Sequence, residues 1–318
     1  MAISSYTLLS ENEWNEKTDL LDSFARSCCL CPRRCGVNRF KNETGFCKAP
    51  GRMIISRTFP HFGEEPPISG KNGSGTVFFS YCTLGCCFCQ NYQISHESQG
   101  QSFSISELAQ KMLWLQSCGC HNINLVTPTH FLPWIIRSLK EASLSGLNIP
   151  VVYNCGGYEN PEVIAVLNGI VDIYLPDMKY GKDLSASKFS KCNNYVHYNR
   201  ESIREMFRQT GPLRTDRNGI GKRGICIRHL VLPNNQSYSL YILEYLKSCY
   251  DVSDIHISLM AQYRPFYKAE RFDEINRPLG VKEYELIRDA FADEGFDGFY
   301  QDISRIDNSF VINFNNTK

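Results

Sequence analysis

Three cysteines, Cys82, Cys86 and Cys89, stand in the stretch TVFFSYCTLGCCFCQN (residues 76–91) with the spacing C-x3-C-x2-C, directly after an apolar run of β character. Thiolates are soft ligands suited to iron–sulfur clusters. Three this close in sequence can hold three irons of a four-iron, four-sulfur cluster and leave the fourth iron open to another ligand. Disulfides and chance are the alternatives. The chain has fifteen cysteines, an odd number, and its first residues lack the basic start and apolar core of a secretory signal. A reducing, cytoplasmic location is therefore expected, where clustered cysteines bind metal rather than pair. Cys87 lies inside the triplet but out of register and is read as a packing thiol.

A second group, Cys28, Cys31, Cys35 and Cys47, has the spacing C-x2-C-x3-C-x11-C. Four thiolates can close a tetrahedral zinc site or hold a second iron–sulfur cluster; the spacing leaves the choice open. A site closed by four protein ligands is structural or electron-transferring, not catalytic. Pro32, Gly36 and Gly45 would shape its knuckles, and Cys29 is spare.

The formal net charge of +1 gives no global pull toward nucleic acid or an anionic membrane, and no apolar run reaches the length of a membrane span. A basic stretch at residues 204–228 is interrupted by Asp216 and glycines and reads as an exposed loop, so neither nucleic acid nor membrane is an expected partner.

The elements that must position the cysteines follow from periodicity. Apolar, β-branched runs at 76–81, 123–127, 149–153, 171–175, 225–232 and 255–259 alternate with helical patterns such as Leu132, Ile135, Ile136 and Leu139. Ser104 and Glu107 predict a capping box, Asn160 followed by Pro161 predicts a helix start, residues 281–291 a last helix, and the surroundings of Phe299 a short edge strand. Near-continuous apolar strands alternating with helices predict an α/β fold with a parallel sheet, and six of them a partial (β/α)6 barrel. Residues 1–60 are expected to form an N-terminal helix and cysteine-rich metal-binding segment, and residues 61–318 the core domain with a C-terminal helix and tail. Residues 61–75 read as a loop. In such sheets working residues sit at the C-terminal strand ends, and here those ends are polar, small or thiol-bearing.

The cysteine triplet after the first of these strands resembles that of the radical S-adenosylmethionine (SAM) superfamily. The segments CPRRCGVNR, HFGEEPPISG, HNINLVTPTHF, VVYNCGGYE, VDIYLPDMKY and RHLVLPN resemble homologues of pyruvate formate-lyase activating enzyme within it, over roughly residues 28–303. The resemblance implies a 4Fe–4S cluster on Cys82, Cys86 and Cys89, with SAM on the open iron. It also implies reductive cleavage of SAM to a 5′-deoxyadenosyl radical that abstracts a hydrogen atom.

The same resemblance assigns cofactor contacts. Phe88 would lie near adenine. Thr127, Pro128 and Thr129 occupy the place of a Gly-Gly-Glu stretch whose backbone holds the SAM amino group. Asn154 would contact SAM, Asp177 its ribose and Lys179 its carboxylate. Of Arg228 and His229, which alternation puts on opposite faces, His229 is expected to point inward to the ribose. Tyr81 replaces a family glycine. His130 is either a substrate-side donor or structural. Gln262, Tyr263 and Arg264 are expected at the substrate opening. The expected function is a radical SAM enzyme activating a glycyl radical enzyme, with a flavodoxin or ferredoxin as reductant. The alternatives are the same chemistry on a small molecule or peptide, and a metal-binding protein without catalysis.

Overall fold

The computed structural model describes residues 4–305 together with 312 and 314. Its strands are β1 (Met53–His61), β2 (Ser74–Phe79), β3 (Gln101–Phe103), β4 (Ile123–Val126), β5 (Val151–Cys155), β6 (Ile173–Pro176), β7 (Arg214–Thr215), β8 (Gly221–Leu230), β9 (His256–Met260) and β10 (Asp297–Tyr300). They join in the order β10-β9-β8-β6-β5-β4-β2-β1-β3, with β7 paired to the flank of β8. From β2 to β10 each neighbouring pair on this path is parallel, whereas β1 runs antiparallel to β2 and to β3.

The helices are α1 (Glu11–Arg26), α2 (Pro66–Ser69), α3 (Tyr92–Ser95), α4 (Ile105–Ser117), α5 (Leu132–Leu144), α6 (Pro161–Val166), α7 (Asp183–Ser190), α8 (Tyr195–Thr210), α9 (Ser239–Cys249) and α10 (Val281–Asp293). Each parallel crossover carries at least one of them. Strands β2, β5 and β6 are buried along their whole length, which is why they read as unbroken apolar runs instead of alternating ones.

The expected α/β partial barrel is present. All six expected strands form and pair in sequence order, and the segment near Phe299 joins as β10, parallel to β9. The capping box of Ser104 and Glu107 forms, and Asn160 caps α6 with Pro161 in its first turn. Three readings change. Residues 61–75 are not one loop: α2 and the start of β2 lie within them. The nine-residue strand β1 spans the expected boundary at residue 60. The basic stretch from Arg204 is the end of α8 followed by β7 and β8, with Arg204 and Arg208 ion-paired to Glu201 and Glu205 on the same helix face.

The N-terminal helix is fastened to the barrel by polar contacts. Ser10 caps α1 with Glu13, and Arg137 of α5 grips both oxygens of Asp22 at 2.9 and 2.8 Å. Below the sheet, Asp172 accepts from the amides of Ser5 and Val151 at 2.8 and 2.9 Å. No helix among the described residues is long and apolar enough to cross a membrane.

Between the barrel and α5 lies a fully buried carboxyl. Glu159 accepts from Thr129 Oγ1 at 2.9 and 3.0 Å and from the Tyr153 hydroxyl at 3.1 Å. Burial pushes its carboxyl up to about 7, against the opposing pull of these hydroxyl donors. The folded protein therefore holds this proton more tightly than the unfolded chain. The stability it contributes is complete below the ordinary carboxylate range and is lost as the pH rises through about 7. Glu159→Gln is expected to flatten the fall in unfolding free energy between pH 5 and pH 8, measured by urea denaturation; an unchanged slope would remove Glu159 as its source.

Candidate functional site

The C-terminal strand ends and the loop after β2 enclose a cavity of about 570 Å³. Cys82, Cys86 and Cys89 line it together with Phe88, Thr127, Asn154, Asp177 and Lys179. The topology thus gathers onto one surface eight residues expected to act together, drawn from the ends of four parallel strands.

The cysteine loop is held from both sides. The amide of Tyr81 donates to Ile94 O (2.8 Å), that of Gly85 to Ser190 O (3.0 Å) and that of Cys87 to Phe189 O (2.8 Å). Every thiol of the triplet has a polar partner: the Leu84 amide donates to Cys82 Sγ at 3.4 Å, Cys86 Sγ lies 2.9 Å from Ser190 Oγ, and Cys89 Sγ lies 3.1 Å from Ser95 Oγ. Such hydrogen bonds to sulfur orient cluster ligands and tune their charge. Burial raises the Cys82 and Cys86 thiols above their ordinary range and pushes Cys89 up to about 11. Three thiolates buried this deeply are costly unless cations lie among them, which is what iron supplies. The donor set and its partners fit a cluster of the expected kind. Cys87 is buried off the cavity, as a packing thiol.

Two residues of this wall have backbone φ values that favour glycine. Tyr81 has φ +69° and Thr127 φ +58°. Both side chains are thus held in a backbone region that L-residues rarely adopt. At the end of β5, a Cβ on Gly156 would lie 2.6 Å from Leu84 Cδ1, and one on Gly157 would lie 1.9 Å from Asp177 O. Both glycines let the β5 and β6 ends close against the cysteine loop.

The polar floor is one network. Asp177 Oδ2 is ion-paired with Lys179 Nζ, and Asp177 Oδ1 accepts from Arg228 Nε at 2.9 Å. Arg228 also reaches Asn154 Oδ1 at 2.6 Å and Glu64 Oε2 at 3.3 Å. Glu64 accepts from Asn124 Nδ2 at 2.9 Å. Despite its burial Asp177 is held below its ordinary pKa by Arg228 and Lys179, whereas burial pushes Glu64 up to about 7. The pair of Asp177 and Lys179 is therefore a buried, shared ion pair lining the cavity rather than a surface one.

Two expectations are corrected and one open choice is decided. His229 does not face the cavity: its Nδ1 lies 2.6 Å from Met178 O, its Nε2 lies 2.8 Å from Ser239 Oγ, and it is fully buried behind the sheet. Arg228 points inward instead. Pro128 and Thr129 leave the cavity wall after Thr127, and Thr129 spends its hydroxyl on Glu159. His130 is structural, with Nε2 2.8 Å from Ser80 O and burial holding it neutral. Gln262, Tyr263 and Arg264 line the cavity as expected, and Phe88 packs edge-on to Tyr263 with ring centroids 5.7 Å apart.

The N-terminal thiols are also neighbours. Cys35 Sγ accepts from the Phe46 amide at 3.4 Å, and the fully buried Arg39 lies 3.8 Å from Cys47 Sγ. The thiols of Cys28 and Cys31 both feel that of Cys47. Among the described residues, no three His, Cys, Asp or Glu side chains converge as the ligands of one metal ion. This knuckle abuts the cysteine loop: Arg33 Nε donates to Thr83 O at 2.8 Å, and the guanidinium stacks 3.3 Å from the centre of the Phe46 ring.

Over 279 residues, covering 85% of this chain and 75% of the other, the sequence is 32% identical to the uncharacterized protein MJ0674 of Methanocaldococcus jannaschii. The chain belongs to the family of that archaeal protein. No protein-family profile matches it. Among solved structures it is similar to the FeFe-hydrogenase maturase HydG, with a TM-score of 0.48 and 12% identity, covering 96% of this chain and 60% of HydG. It is similar also to methylornithine synthase PylB, with a TM-score of 0.43 and 12% identity over 92% and 72% of the two chains. For TYW1 with a lysine-pyruvate adduct bound, the TM-score is 0.43 and the identity 11%, over 70% and 74%.

Glu64 was not singled out from the sequence, because it sits in a Gly- and Pro-rich stretch whose acidic pair reads as solvated turn. The signal available was two adjacent carboxylates just before a Pro-Pro helix start. Alternation marks Arg228 and His229 together, and only their partners in the fold show that Arg228 is the inner one. Arg228→Leu strands Asp177 and Glu64 in a buried site. It is expected to cost on the order of 3 kcal/mol of folding free energy at pH 8 and less at pH 4, where the carboxyls accept protons. Denaturant titration at both pH values checks this, and an equal loss at both would detach the effect from charge.

Proposed function

We propose that the protein is a radical SAM enzyme. The observation that carries this reading is the convergence, on one cavity wall, of the cysteine triplet with Asp177, Lys179 and Asn154 from separate strand ends. Cys82, Cys86 and Cys89 hold three irons of a 4Fe–4S cluster. In this reading Lys179 neutralises the SAM carboxylate, Asp177 accepts from the ribose hydroxyls and Phe88 packs near adenine, as the resemblance implies; all three line the cavity. When bound and reduced, cluster and SAM supply a 5′-deoxyadenosyl radical for hydrogen-atom abstraction. Arg228, and not the His229 expected at the ribose, is on the cavity side, where it orders Asp177 and Asn154 through bonds to both.

The finer reading is activation of a glycyl radical enzyme. It rests on resemblance, and the partly enclosed cavity, lined also by Gln262, Gln301 and Phe266, supports it as a space that could admit an extended backbone. A fold relative need not share a substrate. The reading brings with it a reducing, cytoplasmic setting and a low-potential protein reductant. Cys28, Cys31, Cys35 and Cys47 are read from their spacing as a site for zinc or a second cluster; their thiols are neighbours, and binding would have to draw them together, since they do not converge on one ion as they stand.

Anaerobically reconstituted and reduced, the protein is expected to convert SAM to methionine and 5′-deoxyadenosine, followed by liquid chromatography. Cys86→Ala is expected to lower this to background. A fully loaded cluster without cleavage rejects the enzyme reading. With a candidate glycyl radical enzyme added, electron paramagnetic resonance should report a glycyl radical; silence with every partner offered sends the substrate back to the small-molecule class. The Cys28→Ala, Cys31→Ala double variant is expected to lose one zinc, or the second cluster's iron, by elemental analysis. Unchanged metal content would leave these thiols as packing groups.

A further inference from the structure

Around the outer side of the cysteine loop lies a surface that the reading above does not use. Three planar side chains stack there: Tyr92 on Tyr267 with centroids 5.4 Å apart and 17° between planes, and His96 on Tyr267 at 4.6 Å and 11°. The stack is half-buried, with one edge in solvent. It is joined directly to the loop, because His96 Nε2 lies 3.0 Å from Cys86 O and the Lys268 amide donates to Cys87 O at 2.8 Å.

Three exposed lysines border this stack. Lys268 holds its Nζ 4.7 Å from the centre of the Tyr267 ring. The stem of Lys191 covers the loop, since a Cβ on Gly85 would meet its Cδ at 3.4 Å. Lys48 follows Cys47. Phe46, two residues before Lys48, packs on the same loop, since a Cβ on Gly85 would meet its Cζ at 3.2 Å. None of the three lysines forms an ion pair with a carboxylate among the described residues, unlike Lys179, Lys188 and Lys247.

The backbone adds a separate observation. Lys48, Lys191 and Tyr267 each occupy the left-handed region, at φ +58°, +51° and +54°. An L-residue there costs on the order of 1 kcal/mol, which glycine avoids. Three separate turns thus carry a long side chain where glycine would serve the fold better, and all three turns abut the cysteine loop.

We infer that Lys48, Lys191 and Lys268, with the stack of Tyr92, Tyr267 and His96, form the docking surface for an acidic one-electron carrier protein. The inference rests on the radical SAM reading for the use of the electron. One electron leaves the carrier, oxidising it by one, and reduces the cluster by one; no bond is made or broken and no proton crosses. Positive charge around a planar centre fits a carrier whose redox group sits at the centre of an acidic face. Complementary charge of this kind governs encounter and its salt dependence.

The test uses the cluster-loaded protein and, as probe, an acidic flavodoxin. Binding is measured by titration at low and at high salt for the native chain and for the Lys48→Glu, Lys191→Glu, Lys268→Glu triple variant. Charge reversal is expected to weaken binding about tenfold or more at low salt and to matter little at high salt. SAM cleavage driven by dithionite should be unchanged, while cleavage driven by reduced flavodoxin should fall in parallel with binding. The three single variants replace the triple if it fails to load its cluster, and Lys111→Glu on α4 serves as the remote control. Equal affinity of native and variant proteins, loss as large in Lys111→Glu, or no salt-dependent binding of the native protein to flavodoxin or to an acidic ferredoxin would overturn the inference. Absence of dithionite-driven cleavage in the native protein would reject the radical SAM reading instead, and the binding measurement would still judge the surface.

Discussion

Asp177 is shared by two cations, Lys179 on its own strand end and Arg228 on the neighbouring strand, and the architecture of the cavity depends on that sharing. A carboxylate this buried would ordinarily take up a proton; here Arg228 and Lys179 hold it ionised. The same arginine extends to Asn154 on β5 and to Glu64 ahead of α2. One guanidinium therefore fixes the relative positions of β5, β6 and β8 at their C-terminal ends, where parallel strands would otherwise leave polar backbone and side chains facing an open space. Burying such a network stabilises little by itself, since desolvation offsets much of the attraction. What it provides is geometry: a charged floor opposite the cysteines with few alternative arrangements.

The cysteine loop depends on a second constraint, its confinement between α7 and the N-terminal knuckle. Its amides are taken up by Ser190 and Phe189 on one side, and the carbonyl of Thr83 is taken up by Arg33 on the other. Thiols in a mobile loop would not hold three irons in register. Here Ser190 and Ser95 also bond two of the sulfurs directly. The knuckle of Cys28, Cys31, Cys35 and Cys47 is thus tied mechanically to the cysteine loop through Arg33 and Phe46.

Much of this was legible in the residues. The apolar runs announced the parallel strands because β2, β5 and β6 are covered on both faces, so that no polar alternation interrupts them. Ser104 with Glu107, and Asn160 with Pro161, announced helix starts because caps are local chemistry. Less legible were β1 and Glu64. Strand β1 is only partly buried over most of its length and mixes Arg, Thr, Pro and His with its apolar residues, and Glu64 acquires its role only when β8 brings Arg228 to it from a distant part of the chain. Tyr81 and Thr127 take up left-handed backbone, which residue type alone does not announce.

The sequence by itself determined the ligand chemistry and the strand ends that carry it, because thiol spacing and strand periodicity are properties of neighbouring residues. Cys82, Cys86 and Cys89, and Asp177 with Lys179 two residues on, needed no tertiary information to be found. Only the tertiary structure decided which of Arg228 and His229 faces the cavity. Alternation requires that the two side chains point opposite ways but is silent on which face is the inner one. That choice is made by the register of β8 against β6 and β9 and by the partners on each side: Met178 and Ser239 take the imidazole behind the sheet, and Asp177, Asn154 and Glu64 take the guanidinium in front of it.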